Sequence, residues 1–198
     1  MNTAGKRESS QERVTKETSV KITLSIDGTS QIKVKTGIGF FDHLLTTLAF
    51  YAGWDFEITA VGDTNVDDHH TVEDCALVIG AAFDEALGDR SGIARFGYAY
   101  APHDESLARA VVDLSNRPYA GIDLNLQRES IGELACENIP HFLESLAYSA
   151  KFTLHLDMLR GSNDHHRAEA AFKALGLALA IATSRNNIEK IQSTKGAI

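Results

Sequence analysis

The sequence predicts a layered α+β protein built from two copies of one unit. Three observations lead there. Short stretches alternate apolar and polar residues as half-buried strands do, other stretches space their apolar residues as helices do, and the whole order recurs in the second half.

In the first half, Val20 to Ile26 alternates, Asp27-Gly28 supplies a turn, and Gln31 to Lys35 alternates again, which predicts a half-buried hairpin. Leu44, Leu45, Leu48 and Tyr51 then recur at helical spacing between a capping Asp42 and a terminating Gly53. Phe56, Ile58 and Ala60 alternate with Glu57 and Thr59 as a strand, and a polar loop runs from Gly62 to Asp68. A second helix carries Val72, Ala76, Ile79, Phe83 and Ala86 and stops at Gly88.

The second half repeats this order. Leu107 to Leu114 and Gly121 to Leu126 flank the turn cluster Ser115-Asn116-Arg117-Pro118, predicting another hairpin. Pro140 opens a helix with Phe142, Leu143 and Leu146, and Phe152, Leu154 and Leu156 make the next strand. Ser162-Asn163-Asp164 caps a helix bearing Ala168, Ala171, Leu175, Ala178 and Ala182. Residue by residue, His43 to Ala49 lies on His141 to Ala147 (43 to 141, an offset of 98), and Asp68 to Glu73 lies on Asp164 to Glu169 (68 to 164, an offset of 96). The expected organisation is a tail over residues 1–11, a half-repeat over 12–91 and another over 92–198, packed as one globular unit because neither half can bury its own apolar surface.

The repeat also carries the chemistry: His43, His69, His70 and Glu73 in one copy, and His141, His165, His166 and Glu169 in the other. On a helix the first histidine of each pair and the glutamate four residues on share a face, while the second histidine points about 100° away, toward another ion or a neighbouring subunit. A lone His-His pair ordinarily caps a helix or faces solvent. Two pairs with glutamate at one offset, each preceded by a further histidine, take six of the eight histidines and predict metal binding. Imidazole with carboxylate suits Mn, Fe or Zn, and Mn best fits the set. His155 alternates with Leu154 and Leu156 and reads as a solvent-face residue, and His103 as a turn residue after Pro102.

Composition excludes other classes. The chain has 198 residues, 43% of them hydrophobic, enough for a real core, and a formal net charge of −8 argues against a nucleic-acid partner. No apolar run is long enough to cross a bilayer and the polar N-terminus has no apolar signal core, so a cytoplasmic protein is expected. Cys75 and Cys136 lack ligand-like spacing.

Six motifs in order resemble the imidazoleglycerol-phosphate dehydratases of histidine biosynthesis, over about Arg13 to Lys195. They are Arg13 to Thr18, Gly39 to Leu45, Asp67 to Asp74, Asp113 to Tyr119, Ser162 to Glu169 and Ser193 to Gly196; His103 and Asn116 depart from the usual pattern. The resemblance implies two four-stranded sheets sandwiching a helical layer, as in the second domain of ribosomal protein S5. It implies a lyase that dehydrates imidazole glycerol phosphate to imidazole acetol phosphate through a metal-bound imidazolate and a diazafulvene-like intermediate. Two Mn(2+) ions per active site and a 24-subunit assembly with interfacial sites are further implications. Glu17, Glu73 and Glu169 are the implied catalytic carboxylates, with Glu17 taking the carbon-bound proton and the other two also holding metal. Phosphate binding falls by the same resemblance to Arg95, Arg117, Ser193, Thr194 and Lys195, with Glu17 also at the substrate. Two rival classes use similar ligands, a two-metal phosphoester hydrolase and a metal-storage assembly.

Overall fold

A computed structural model describes residues 5–186 and 190–196. The first half comprises β1 (Glu8–Val14), β2 (Thr18–Ser25), β3 (Ile32–Lys35), α1 (Gly39–Ala52), β4 (Asp55–Gly62) and α2 (His69–Leu87). The second repeats it as β5 (Phe96–His103), β6 (Ser106–Asp113), β7 (Tyr119–Asp123), α3 (Asn138–Ser149), β10 (Thr153–Arg160) and α4 (Asp164–Thr183), with a small added hairpin, β8 (Ser130–Ile131) and β9 (Leu134–Ala135).

The two main sheets have the same order, β1-β2-β4-β3 and β5-β6-β10-β7. Both expected hairpins are therefore wrong. Strand β3 pairs in parallel with β4, and β7 in parallel with β10, so β4 lies between β2 and β3 and β10 between β6 and β7. Parallel neighbours need a crossover, which α1 and α3 supply, and a local turn signal carries no trace of it. The true antiparallel partners at the sheet edges are β1 and β5, whose alternation is weak or inverted: β5 buries its alanines and exposes Phe96, Tyr98 and Tyr100.

Residues 8–11, assigned to the tail, belong to β1. Their polar side chains find partners, with Gln11 Nε2 donating to Glu85 Oε2 at 2.6 Å and buried Ser9 donating to the same carboxylate oxygen. Arg7 ties the strand down, donating from Nη1 to the Thr183 carbonyl at 2.7 Å and from Nε to Asp27 at 3.0 Å. Residues 1–4 of that tail lie outside the described residues. Helix α1 begins at Gly39, ahead of Asp42, whose carboxylate turns back to accept from the Thr36 amide and hydroxyl at 2.8 and 2.5 Å. Helix α3 likewise begins at Asn138, ahead of Pro140. Gly53 and Asn163 serve as read: Gly53 closes α1 in the left-handed region, and Asn163 caps α4 by accepting from the His165 amide.

The helices fill the space between the sheets. Helix α2 packs on β1 and β2, α4 packs on β5 and β6, and the halves interlock as α2 meets α3 and α1 meets α4. Both crossings depend on a glycine at the same place in the repeat. A β-carbon on Gly80 would stand 2.5 Å from Ser149 Cβ and 2.8 Å from the Ala150 amide; one on Gly176 would stand 2.8 Å from the Leu48 carbonyl and 2.9 Å from Tyr51 Cβ. Close helix approach needs residues without side chains there. Val72, Cys75, Ile79, Leu146, Ala171 and Leu175 are among the fully buried residues of the shared core.

Candidate active site

The tight helix crossings determine which ligands meet. His43, on α1, faces His165 and Glu169 on α4, while His141, on α3, faces His69 and Glu73 on α2. In each trio one ligand atom per residue lies within 4.8 Å of the others. The repeat left open which residues meet, and the structure brings the first histidine of each unit to the other half. Sequence spacing cannot show this, because helix partners are chosen by packing across the whole core.

Glu169 is the better held carboxylate. Its side chain is 12% exposed; Oε2 lies 3.2 Å from His43 Nε2 and 3.4 Å from His165 Nε2, and Oε1 lies 2.8 Å from Lys173 Nζ. Burial would raise its pKa, but the Lys173 and His43 hydrogen bonds win and hold it at about 2. Burial lowers the pKa of His165, favouring the neutral imidazole that ligates a cation. In the other trio, Glu73 is 39% exposed with His141 Nε2 at 3.4 Å, and the His69 and His141 rings stack with centroids 4.7 Å apart. His141 Nε2 is buried without a hydrogen-bond partner among the described residues, an acceptor aimed into the trio. An atom so placed, beside an imidazole and a carboxylate, fits a divalent cation.

The remaining histidines of the pairs turn elsewhere. His70 Nδ1 lies 3.1 Å from Asp63 Oδ2, and His166 Nδ1 lies 2.7 Å from Glu105 Oε2; in each case the carboxylate hydrogen bond raises the imidazole pKa. Glu17, at the β1–β2 turn, is 56% exposed with Oε2 3.9 Å from His70 Nε2, so it stands at the edge of this ligand field. His103, read as a turn residue, lies against the candidate site. Its Nδ1 lies 2.7 Å from Lys173 Nζ, its Nε2 lies 3.6 Å from Glu169 Oε2, and it forms a third close group with Asp104 and His166. Glu105, Lys173 and Asp104 were missed too; the only sequence signal was the charge density of His103 to Glu105 in a turn. His155 faces solvent as read, beside the Tyr119 ring.

The implied phosphate residues line a separate cavity of about 700 Å³, formed by Arg95, Phe96, Arg117 and Lys190 to Lys195. Arg95 is buried and its fork is taken by Asp113, with Nε to Oδ1 at 2.7 Å and Nη2 to Oδ2 at 3.0 Å; its Nη1 holds the tail through the Gln192 carbonyl. Arg117 is 66% exposed, and Lys190, Thr194 and Lys195 are exposed as well.

Comparison with known proteins decides the family. Residues 36–179 match the family model described as imidazoleglycerol-phosphate dehydratase. The chain belongs to the imidazoleglycerol-phosphate dehydratase family. It is 56% identical over 195 residues to the Phytophthora nicotianae imidazoleglycerol-phosphate dehydratase, covering 98% of this chain but 43% of that longer protein. It is 49% identical over 210 residues to the Saccharomyces cerevisiae imidazoleglycerol-phosphate dehydratase, covering 94% of this chain and 96% of that one. Its fold superimposes on the crystal structure of the Staphylococcus aureus imidazoleglycerol-phosphate dehydratase with a TM-score of 0.82 at 37% identity, covering 90% and 99% of the two chains. The activity is that of a hydro-lyase that dehydrates imidazoleglycerol phosphate in histidine biosynthesis, and the family is metal-dependent. The duplicated architecture of two four-stranded sheets around four helices is the one the motifs implied.

Proposed function

We propose that the two crossed trios, His43/His165/Glu169 and His69/Glu73/His141, each hold one Mn(2+), and that His70 and His166 complete such centres from a neighbouring copy of the chain. The single observation behind this is the pairing of each trio from both halves, with a buried imidazole nitrogen in one of them that makes no hydrogen bond among the described residues. Divalent cations held there would draw electron density from the substrate's imidazole ring and favour loss of its side-chain hydroxyl. The chain's own groups do the rest. The histidines fix the ring's position between the helix ends, Glu73 and Glu169 balance the cationic charge, and Glu17 takes the carbon-bound proton. Glu17 suits that task because it is exposed, borders the ligand field and is not among the trio ligands.

Arg117 and Lys195, with Ser193 and Thr194, would bind the phosphate, while Arg95 anchors the tail that carries them. The distance between these groups and the Glu169 trio argues for sites built between subunits. Arg95 and Phe96 lie at one end of β5 and His103 at the other, roughly 23 Å away by strand rise. A ring, three carbons and a phosphate are far shorter, so one chain's phosphate cavity and its own Glu169 trio cannot share a substrate. The exposed aromatic face of the second sheet, with Phe96, Tyr98, Tyr100 and Tyr119, gives another copy an apolar surface, consistent with assembly up to 24 subunits. Metal-free protein reloaded with Mn(2+) and mixed with imidazole glycerol phosphate should release the ketone with its phosphate retained. Free phosphate or an active monomer by light scattering would contradict the reading. Among the described residues no helix is long and apolar enough to cross a membrane, in keeping with a cytoplasmic enzyme.

A further inference from the structure

The repeat places Glu17 and Glu105 at equivalent positions, a relation that sequence alignment of the helices does not reveal. Val14 pairs with Ser19 across β1–β2 as Pro102 pairs with Leu107 across β5–β6, so both strands of the turn shift by 88 (14 to 102, 19 to 107) and 17 falls on 105. The two carboxylates nonetheless do different things. Glu105 reaches inward: Oε2 meets His166 Nδ1 at 2.7 Å, and Oε1 accepts from the amides of Ser162 and Asn163 at 3.1 and 2.9 Å. Glu17 stays at the surface, and the Nδ1 of its own histidine, His70, is taken by Asp63 at 3.1 Å.

The reason lies one loop away. The position equivalent to Asp63 is Ser162: the bulge between Met158 and Arg160 moves the offset that relates β4 to β10 from 98 to 99, so 62 falls on 161 and 63 on 162. Gly62 and Gly161 mark that match, since a β-carbon on Gly62 would strike Thr71 and approach Thr18, and one on Gly161 would strike their equivalents Arg167 and Ser106. Position 162 carries a serine and no carboxylate, and the turn residue Glu105, which accepts from the Ser162 amide, does the orienting in the second half.

We infer that Asp63 and Glu105 are the positioning residues that fix His70 and His166 for metal binding, and that Asp63, by serving the first half, leaves the turn carboxylate Glu17 free for the substrate. A carboxylate on Nδ1 selects the tautomer whose Nε2 lone pair faces outward and holds the ring plane, which typically governs metal affinity by 10–100-fold. This rests on the reading of His70 and His166 as ligands.

The test is Mn(2+) titration of the full-length, metal-stripped protein, with free ion followed by electron paramagnetic resonance, for wild type, His166→Ala, Glu105→Gln and Asp63→Asn. Glu105→Gln keeps an acceptor for the 162–163 amides, and Asp63→Asn keeps the side-chain volume. Each is expected to weaken Mn(2+) binding roughly 10–100-fold while the thermal midpoint of the metal-free protein stays at the wild-type value. Wild-type affinity in His166→Ala would remove the ligand assignment and this inference with it. Loss in His166→Ala alongside wild-type affinity in both carboxylate variants would overturn the inference alone, and so would weakening matched by a fall in metal-free stability in both.

Discussion

The trio completed on α4 and the trio completed on α2 have the same ligands in the same arrangement, but differ in how their carboxylates are held. Glu169 is nearly buried, gripped by Lys173 and flanked by His103, whereas Glu73 is 39% exposed with His141 as its ionic contact among the described residues. The position equivalent to Lys173 is Leu77 (77 to 173, the helix offset of 96), so no ammonium can do the same work in the first half. Duplication therefore copies the ligands, and the surrounding shell then diverges. One centre is rigid and buttressed. The other is open.

That contrast can be tested hardest at the paired turn carboxylates. Glu17→Gln should cut turnover by about 10²–10⁴-fold with Mn(2+) content unchanged; Glu105→Gln should show the reverse emphasis, with metal binding suffering first. Steady-state rates beside metal analysis separate the two, and normal turnover in Glu17→Gln would remove that residue from proton transfer. Next come the ligands. Glu73→Gln and Glu169→Gln should each release one ion per chain, and Lys173→Met should weaken the ion beside Glu169 while sparing the other; equal effects at both centres would show that the buttress is inert.

The helix crossings give the next effect. Gly80→Val and Gly176→Val should each cost about 1–3 kcal/mol through overpacking, read as a lower denaturation midpoint, and each should impair only the trio at its own crossing. Removing the chain after Gln192 should raise KM with little change in metal content, since no trio residue lines the tail cavity. The smallest effect belongs to the N-terminal clasp. The Arg7 hydrogen bond leads the contacts that hold Asp27 well below its ordinary 3.8, overcoming the cost of burial. The clasp therefore stabilises the fold above about pH 4 and loses its effect as pH falls toward the depressed value. Asp27→Asn should lower stability by roughly 0.2–1 kcal/mol at pH 7, with the gap closing in acid.

What the sequence made legible follows the same physics. The ligand-bearing helices announce themselves because a 3.6-residue period, a glycine stop and an asparagine cap are local signals. Strand β1 does not, because its stability comes from Arg7, Glu85 and a neighbouring strand and not from its own apolar residues. Strand β5 misleads, since its large aromatics face out and its alanines face in. The exchange of His43 and His141 between halves, and the role of Glu105, are properties of packing and turn register that residue spacing cannot carry.

The crossed helices say something about ancestry as well as about the present molecule. A half-length protein carrying one copy of the unit could not complete a trio on its own; it would have to associate with a twin, each lending its leading histidine to the other. The single chain is in that sense a covalently joined pair of twins. An ion bound in a crossed trio would couple the two halves thermodynamically, so that loading and cohesion of the halves would rise and fall together.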